Sequence, residues 1–498
     1  MPKTIDLAKI GNLATVNNED LIFGFSASGQ KFGFVPVNFV TNEGYACRRW
    51  DMTKSTPVGE AVGNLDALRN LPTRLGLGCY LVDKNHGRRK LDPTNHYKFA
   101  TGETAKLDGS MGDYMWGWGT KWYYAWWVEG NYYYEAADLK PIPGRMNYTI
   151  PVASTSALGV SVIDRENNEL VSVVSDASKY RGGNNDSSKD GAYNTLLGRA
   201  ATNLDAATFG SYARKKGDGW EAYWYAHAAI IGALFRIIFG TRNVQAAYNS
   251  NKDANGLYQG GFGAGVTNFD SNAWSSQFGY YPFLPTSVGV ELADGCGLVS
   301  YTVKGSSGSS VGTVSVPVFF GLKNFFGYIG RWERGALINK VTGGAGDMYV
   351  VPKLHSPYSM SSLSGLVKVA TMPATANSGW EFIQQVSMQN LCHCPTVTSG
   401  SATESTYYCD GFYNDNASSG LRVPSRGGNA SYAGRAGLEY LYASTVGSRL
   451  PMRTMARPSA KQQKTGIQRP HSWPHDNEGY YAPLGNGVSV GHQRTQGA

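Results

Sequence analysis

The stretch Gly420–Leu450, GLRVPSRGGNASYAGRAGLEYLYASTVGSRL, decides how the rest of the chain is interpreted. Glycine, proline and arginine dominate both of its ends, which we call the frame. Glycine supplies positive φ and tight turns, and proline fixes a bend. The sequence therefore predicts two rigid ends that hold an irregular segment between them. The frame residues are Gly420, Arg422, Pro424, Arg426, Gly427 and Gly428 on one side and Gly447, Ser448, Arg449 and Leu450 on the other.

The centre of this stretch mixes tyrosine with small polar and charged residues, which no packing rule requires. Tyrosine gives a large amphipathic contact area at low entropic cost, while serine and asparagine adapt their hydrogen bonds. This composition predicts a recognition surface. Arg426 and Arg449 are expected to be structural and to hydrogen bond to loop carbonyls. The predicted ligand contacts are Asn429, Ser431, Tyr432, Arg435, Glu439, Tyr440, Tyr442 and Ser444.

Further motifs occur in a fixed order along the chain. They are a helix-like run from Trp220 to Asn249, then Gly260-Gly261-Phe262-Gly263-Ala264-Gly265, Asn324-Phe325-Phe326-Gly327-Tyr328, Tyr407-Tyr408-Cys409-Asp410, Arg426-Gly427-Gly428 and Val446-Gly447-Ser448-Arg449-Leu450. In this order they resemble C-type-lectin-fold proteins of the formylglycine-generating-enzyme-like branch, as used in phage receptor-binding proteins that retroelements diversify. The similarity covers about residues 60 to 452. Two features depart from it: the segment from Gly437 to Val446 is shorter than usual, and residues 451–498 continue past the usual end.

The resemblance implies an α+β chain with a C-type-lectin-like domain and Gly-rich loops. We divide the sequence into an N-terminal anchor or oligomerisation region (1–58), an aromatic-rich mostly-β region (59–210), the lectin-like domain (211–452) and a basic C-terminal arm (453–498). The arm carries little apolar periodicity, so we expect it to be ordered only on another chain.

Enzymatic chemistry is not expected. The formylglycine-generating enzymes use a cysteine pair near this signature, and no cysteine follows Cys409 here. The spacing of the 37 acidic residues singles out no carboxylate pair of the kind that flanks a glycosidase cleft. The resemblance allows structural Ca²⁺, whose position the sequence does not give, and no other cofactor is expected.

Two groups of residues have metal-binding side chains without a matching motif. Cys392-His393-Cys394 has the residue types for zinc, but a single residue between two cysteines makes tetrahedral geometry awkward. Carboxylates that could bind Ca²⁺ do not follow an EF-hand pattern, and solvated acidic turns are the alternative. These carboxylates are Asp164, Glu166 and Glu169 in one run and Asp186 with Asp190 in another.

Composition bounds the class of protein. Of the 498 residues, 42% are hydrophobic and 16% charged, which places the chain in the globular class with a charged fraction below the usual ~25%. The net charge of +8 is modest for this length and no Lys/Arg block occurs, so nucleic acid is not expected as a partner. The N-terminus lacks the apolar core of a Sec-type signal, and six dispersed cysteines are expected to be reduced.

Local patterns predict several elements. Residues 21–25 and 32–37 have the composition of short strands, and the spacing of apolar residues in Pro57–Leu75 is helical. Ala222–Phe239 contains His227 and Arg236, so we predict a buried helix and no membrane insertion. The caps of that helix are expected at Asp218, with Glu221 in a capping box, and at Gly240. Of the aromatic stripe Trp116, Trp118 and Trp122, core or interface packing is the favoured interpretation and sugar stacking the alternative.

The leading hypothesis is a phage virion adhesin. Such a tail-fibre or receptor-binding protein would be synthesised in the host cytoplasm, assemble as a homotrimer beside other virion proteins, and bind a bacterial surface glycan or protein. Multiple copies would convert weak single-site affinity into avidity. The alternative is a structural virion protein, a head-fibre or tail-hub component, that uses the same fold for subunit contacts.

Overall fold

The structure is a computed structural model. It describes residues 44–181 and 199–444, apart from gaps at 203, 268, 270–282, 305–308, 342, 345, 354–355, 376–378 and 417–418, together with strands at 21–25, 32–36, 454–455 and 459–460. The predicted motif Val446–Leu450, with Arg449, and most of the C-terminal arm lie outside these residues, as do Asp186 and Asp190.

Helices are few in the described residues. The three α-helices are α1 (Leu65–Leu75), α2 (Ala206–Arg214) and α3 (Tyr225–Phe239). Three short 3-10 helices span Val290–Leu292, Gln389–Leu391 and Ala433–Arg435.

Strands make up most of the regular structure, so the described chain is α+β or mainly β, which confirms the coarser part of the predicted class. In chain order they are β1 (Leu21–Phe25), β2 (Phe32–Pro36), β3 (Ala46–Asp51), β4 (Glu60–Gly63), β5 (Gly78–Val82), β6 (Arg88–Asp92), β7 (Asn95–Phe99), β8 (Asp113–Gly117), β9 (Trp122–Glu129), β10 (Tyr132–Asp138), β11 (Tyr148–Ile150), β12 (Ser154–Ser156), β13 (Val162–Asp164), β14 (Glu169–Val171), β15 (Tyr180–Arg181), β16 (Gly297–Lys304), β17 (Ser310–Phe319), β18 (Leu322–Lys323), β19 (Gly330–Trp332), β20 (Ala336–Lys340), β21 (Gly346–Val350), β22 (Val367–Met372), β23 (Gly379–Ser387), β24 (Cys394–Ser399), β25 (Gly411–Asn414), β26 (Gly420–Arg422), β27 (Ser425–Arg426), β28 (Leu441–Tyr442), β29 (Thr454–Met455) and β30 (Ser459–Ala460).

Two sheets position the regions discussed below. One has five strands in the order β11-β9-β10-β3-β4, and the other has seven in the order β24-β23-β25-β28-β27-β19-β29. The remaining described strands form the sheets β1-β2, β30-β12-β8-β5-β6-β7, β14-β13-β15, β16-β17-β18 and β22-β21-β20-β26.

Helix α3 forms the centre of the core, because every residue from Tyr225 to Phe239 is buried. Its aromatic side chains pack into a cluster of phenylalanines in which Phe239 lies 5.0 Å from Phe262 and Phe262 lies 5.1 Å from Phe325, measured between ring centroids. The predicted buried helix is thus confirmed, and so is its end: Gly240 adopts φ +68 and donates its N–H to the Arg236 carbonyl.

The predicted start of α3 is wrong. The helix begins at Tyr225, and its N-cap residue Trp224 makes no side-chain cap bond. The residues just before the helix pair with Arg334 and are not helical. Trp224 forms a β-bridge to Arg334, and the Arg334 N–H donates to the carbonyl of Tyr223. Glu221 does not form a capping box. It accepts a hydrogen bond from Arg214 at 2.8 Å and lies 3.4 Å from the Arg334 Nε.

The helical prediction for Pro57–Leu75 holds only for its second half. Residues Glu60–Gly63 form β4, which pairs with β3, and α1 begins after Asn64, whose side chain accepts from the backbone N–H groups of Asp66 and Ala67. An asparagine N-cap therefore separates the strand from the helix.

The aromatic stripe lies in the core. Trp116, Trp118 and Trp122 are at most 2% exposed, and each lies about edge-on to the next, with ring centroids 6.2 and 5.8 Å apart. Their burial confirms the packing interpretation over sugar stacking.

Strand pairing crosses the predicted region boundaries. β3 precedes residue 58 and pairs with β10, which lies in the predicted aromatic-rich region. Two short pieces of the predicted arm, β29 and β30, pair with β19 and β12 of the same chain. For these four residues the prediction of order only on another chain is wrong, because the chain's own strands supply the backbone hydrogen bonds.

Lys323 gives a testable consequence of this buried core. It is 1% exposed, its Nζ donates to the Thr286 carbonyl at 2.6 Å, and burial lowers the pKa of its ammonium from 10.5 to about 7. Since the unfolded lysine keeps the higher pKa, the unfolded state binds more protons between these values, and stability must rise with pH there. We expect wild type to gain about 1 kcal/mol of unfolding free energy per pH unit relative to Lys323→Met above neutral pH.

Urea unfolding of both proteins over the range from neutral to mildly alkaline pH measures this difference. The other titrating groups are common to both proteins and cancel. A difference that does not change with pH would contradict the lowered pKa.

Candidate functional site

Three aromatic residues form a row across neighbouring strands of the seven-stranded sheet. The register pairs Trp380 of β23 with Tyr413 of β25, and Tyr413 with Tyr442 of β28. The Tyr413 and Tyr442 rings stack at 4.4 Å with an angle of 10°, and Trp380 lies 5.1 Å from Tyr413. All three side chains are half-buried, so the row reaches the surface.

The loop between β27 and β28, residues 427–440, adds two further rings to this row. Tyr432 lies 5.1 Å from Trp380 and stacks on Tyr440 at 5.4 Å, while Tyr440 lies 5.5 Å from Trp380. The exposed Arg435 places its guanidinium 5.5 Å from the Trp380 ring, a cation–π geometry. We call Trp380, Tyr413, Tyr432, Tyr440 and Tyr442 the recognition cluster.

Five of the eight predicted contact residues reach the surface. Arg435 is exposed, and Ser431, Tyr432, Tyr442 and Ser444 are half-buried. The Ser444 hydroxyl accepts the Asp415 N–H at 2.8 Å, which fixes the end of the row.

For the other three predicted residues an exposed position is wrong. Asn429 and Glu439 are each 3% exposed and Tyr440 is 1% exposed. Asn429 is buried because its side chain forms the turn, accepting the Ser431 N–H and hydroxyl at 2.9 and 2.6 Å. Tyr440 is buried beneath Tyr432, and burial raises the pKa of its hydroxyl well above the ordinary value, with the Tyr432 hydroxyl adding to the shift.

Glu439 is buried because it balances charge in the core. Its Oε1 accepts a hydrogen bond from Arg236 of α3, and its Oε2 lies 2.5 Å from His393 Nδ1. Arg236 also makes a bidentate pair with Glu135 of β10, at 2.7 and 2.6 Å. Burial, reinforced by Arg236 and then Arg426, lowers the pKa of His393 well below its ordinary value.

Arg426 acts as predicted. It is 1% exposed, pairs with Glu333 at 2.9 Å, and donates to the carbonyls of Glu439 at 3.2 Å and His393 at 2.7 Å. Its guanidinium therefore joins the end of the loop to β19 and β24, and the structural role expected for it is confirmed.

Close backbone approach fixes the loop at both ends. Gly427 and Gly428 have φ of +89 and +71, and a Cβ on Gly428 would lie 2.7 Å from that of Ala436. A Cβ on Gly437 would lie 1.8 Å from Asp410, whose Oδ2 accepts the Glu439 N–H at 2.7 Å. The glycines are thus required by space and by backbone conformation.

Three of the segments that carry the sequence resemblance contact this loop, namely Trp220–Asn249, Asn324–Tyr328 and Tyr407–Asp410. Gly327 donates its N–H to the Gly427 carbonyl at 2.8 Å, and Ala430 donates to the Tyr328 carbonyl at 3.1 Å. Gln245 donates to the carbonyls of Ala433 and Ala436. Segments far apart in sequence therefore support one short stretch of backbone.

The metal-binding residue types identified in the sequence have other contacts. His393 faces Glu439, while burial raises the pKa values of the Cys392 and Cys394 thiols. Asp164 Oδ1 accepts the N–H groups of Glu166 and Asn167, as in an acidic turn.

One group of metal-binding residue types that sequence spacing did not reveal is Cys79, His96 and Asp294, whose ligand atoms lie within 4.8 Å of one another. The Asp294 carboxylate is already occupied: Oδ1 accepts from Cys79 N–H at 2.7 Å and lies 2.9 Å from His96 Nε2, and Oδ2 accepts from Lys90 at 2.7 Å. A lysine ammonium on the same carboxylate disfavours a metal cation, so this group fits a buried hydrogen-bond network better.

Sequence reasoning missed Trp380 and Tyr413. Each lies in a strand of mixed composition, and only the pairing of β23 with β25 and of β25 with β28 brings them beside Tyr442. Alternation along β25, with Phe412 buried and Tyr413 half-buried, is the one local signal that could have indicated Tyr413.

Comparisons with known proteins add no relatives. No protein-family model matches the chain, and no match was found among curated proteins. None of the described helices combines the length and the hydropathy that crossing a bilayer requires.

The division between buried and surface residues in this loop predicts unequal effects of substitution on stability. Glu439→Ala leaves Arg236 and His393 without their shared carboxylate, so we expect a loss of about 3–5 kcal/mol in unfolding free energy. Arg435→Ala removes an exposed side chain and should change it by about 0.5 kcal/mol or less. Urea unfolding followed by tryptophan fluorescence measures both, and equal effects of the two substitutions would contradict the assignment of Glu439 to the core.

Proposed function

We propose that this chain is a phage virion adhesin whose C-type-lectin-like domain, residues 211–452, binds a bacterial surface glycan or protein. The observation that carries the proposal is the recognition cluster, in which four rings are half-buried and Trp380 lies beside the exposed Arg435, while Glu439 of the same loop makes buried ionic contacts. Aromatic rings with an adjacent cation are typical of binding surfaces.

The buried contacts support recognition because they restrict the loop. After the exposed residues, Glu439 bonds to Asp410, Arg236 and Arg426, and before them Ala430 donates its N–H to the Tyr328 carbonyl. A surface held in one conformation loses less entropy on binding than a flexible one. The resemblance to retroelement-diversified proteins fits this arrangement, since Ser431, Tyr432 and Arg435 can change while the buried residues stay.

The proposal includes assembly as a homotrimer on a phage tail or fibre with other virion proteins, without a catalytic step. The alternative, a structural head-fibre or tail-hub protein, would use the same surface for subunit contacts. The two differ in whether the purified protein binds bacterial cells.

Binding to intact cells of candidate hosts tests this proposal with matched double variants. Tyr432→Ala/Arg435→Ala removes a ring of the recognition cluster and the cation beside it. Tyr97→Ala/Lys98→Ala removes a ring and a cation from β7, where both residues are exposed, Tyr97 by 53%. We expect the first variant to weaken binding by about 30-fold or more and the second by less than about threefold.

Two outcomes would count against the site or the function. Equal binding by wild type and the Tyr432/Arg435 variant would refute the site. Absence of binding by every form, across a panel of hosts, would favour the structural virion protein.

A further inference from the structure

Glu404, which is outside the loop of residues 427–440, brings a carboxylate to the edge of the recognition cluster. Its side chain crosses Gly434 of that loop: a Cβ on Gly434 would lie 3.1 Å from the Glu404 Cβ and closer still to the carboxylate. Gly434 directly precedes Arg435, whose guanidinium approaches Trp380. An acidic and a basic residue, both exposed, therefore flank the same turn of the loop.

Two side chains from one short segment hold Glu404 and the loop side by side. Asn243 donates to the Glu404 carbonyl at 3.4 Å, and Gln245, two residues later, donates to the Ala433 carbonyl at 2.9 Å. Hydrogen bonds within the chain therefore fix the Glu404 backbone against the loop. A ligand that binds here does not have to order it, which lowers the entropic cost of binding.

The Glu404 carboxylate is free to accept hydrogen bonds from a ligand. Among the residues that the structure describes, neither Glu404 nor Arg435 has an ion-pair partner. An ionised carboxylate only accepts hydrogen bonds, and its two oxygens can take two donors that lie side by side. Two neighbouring hydroxyl groups of a sugar ring supply such a pair of donors.

The residues around Glu404 favour a sugar over a protein surface as the ligand. Those that are exposed in this turn and in the facing turn of the loop are Thr403, Glu404, Ser405, Ala433 and Arg435. Glutamate, serine and alanine are depleted in protein–protein interfaces. The Thr403 and Ser405 hydroxyl oxygens lie 3.1 Å apart, and each can both donate and accept. A ligand rich in hydroxyl groups matches this surface, while the rings of the recognition cluster supply apolar contact area.

We propose that the ligand of the recognition cluster is a glycan and that Glu404 binds two of its neighbouring hydroxyl groups. This inference rests on the proposed function. It adds a ligand class to that function, and it adds a contact residue from outside the stretch Gly420–Leu450.

Binding to cells of a host that wild type recognises tests the role of the residue. Glu404→Gln keeps the size of the side chain, but it removes the charge and replaces one acceptor oxygen with a donor. We expect binding to weaken by about tenfold, because a hydrogen bond to a charged group is lost. Glu166→Gln, the same substitution at an exposed glutamate in another turn, is the control and should leave binding unchanged.

Treatment of the same host cells tests the ligand class. Periodate cleaves the bond between two carbons that carry neighbouring hydroxyls, whereas proteinase K removes surface proteins. We expect wild type to lose binding to periodate-treated cells. Binding that survives periodate would overturn the glycan, and its loss after proteinase K would then identify a protein ligand.

Failure of this inference can be told apart from failure of the proposed function. Equal binding by wild type and Glu404→Gln overturns the role of Glu404, yet the adhesin function stands because untreated cells still bind wild type. Absence of wild-type binding to every host refutes the function, and this inference with it.

Discussion

The charge of Arg236 is the constraint on which much of the described structure depends. This arginine is 1% exposed on a helix that is buried on all sides, and a cation in such a place requires carboxylates in direct contact. Glu135 comes from the five-stranded sheet and Glu439 from the loop before β28. The Arg236 side chain thus couples the position of α3 to that of the five-stranded sheet and to that of the loop at residues 427–440.

Local sequence patterns predicted the features of the fold that depend on neighbouring residues in the sequence. The end of α3 at Gly240, the buried tryptophans and the structural role of Arg426 follow from glycine geometry, apolar periodicity and the cost of burying an unpaired arginine. The start of α3 did not follow, because pairing with Arg334 outweighs the capping signal at Asp218. Glu439 was assigned to the surface because its partners, Arg236 and His393, are distant in sequence. Trp380 and Tyr413 needed knowledge of strand register, which composition does not contain.

The rings of the recognition cluster are arranged in two ways. Tyr413, Tyr432, Tyr440 and Tyr442 are inclined to Trp380 by 41° to 67°. Among themselves the tyrosines stack in pairs, Tyr413 on Tyr442 at 10° and Tyr432 on Tyr440 at 20°. Trp380 is therefore the ring that both tyrosine pairs share, and it comes from a strand that the loop itself does not contain.

The loop at residues 427–440 leaves and re-enters the sheet at adjacent points, since Arg426 pairs directly with Leu441. Its ends are held by strand pairing and by the glycines, so lengthening its middle costs only the slowly growing entropy of closing a longer loop. Additional residues placed between Ser431 and Arg435 would extend into solvent without altering the buried ionic contacts of Glu439. The loop is therefore a natural position for grafting foreign peptides, and the chain a scaffold on which such peptides can be displayed.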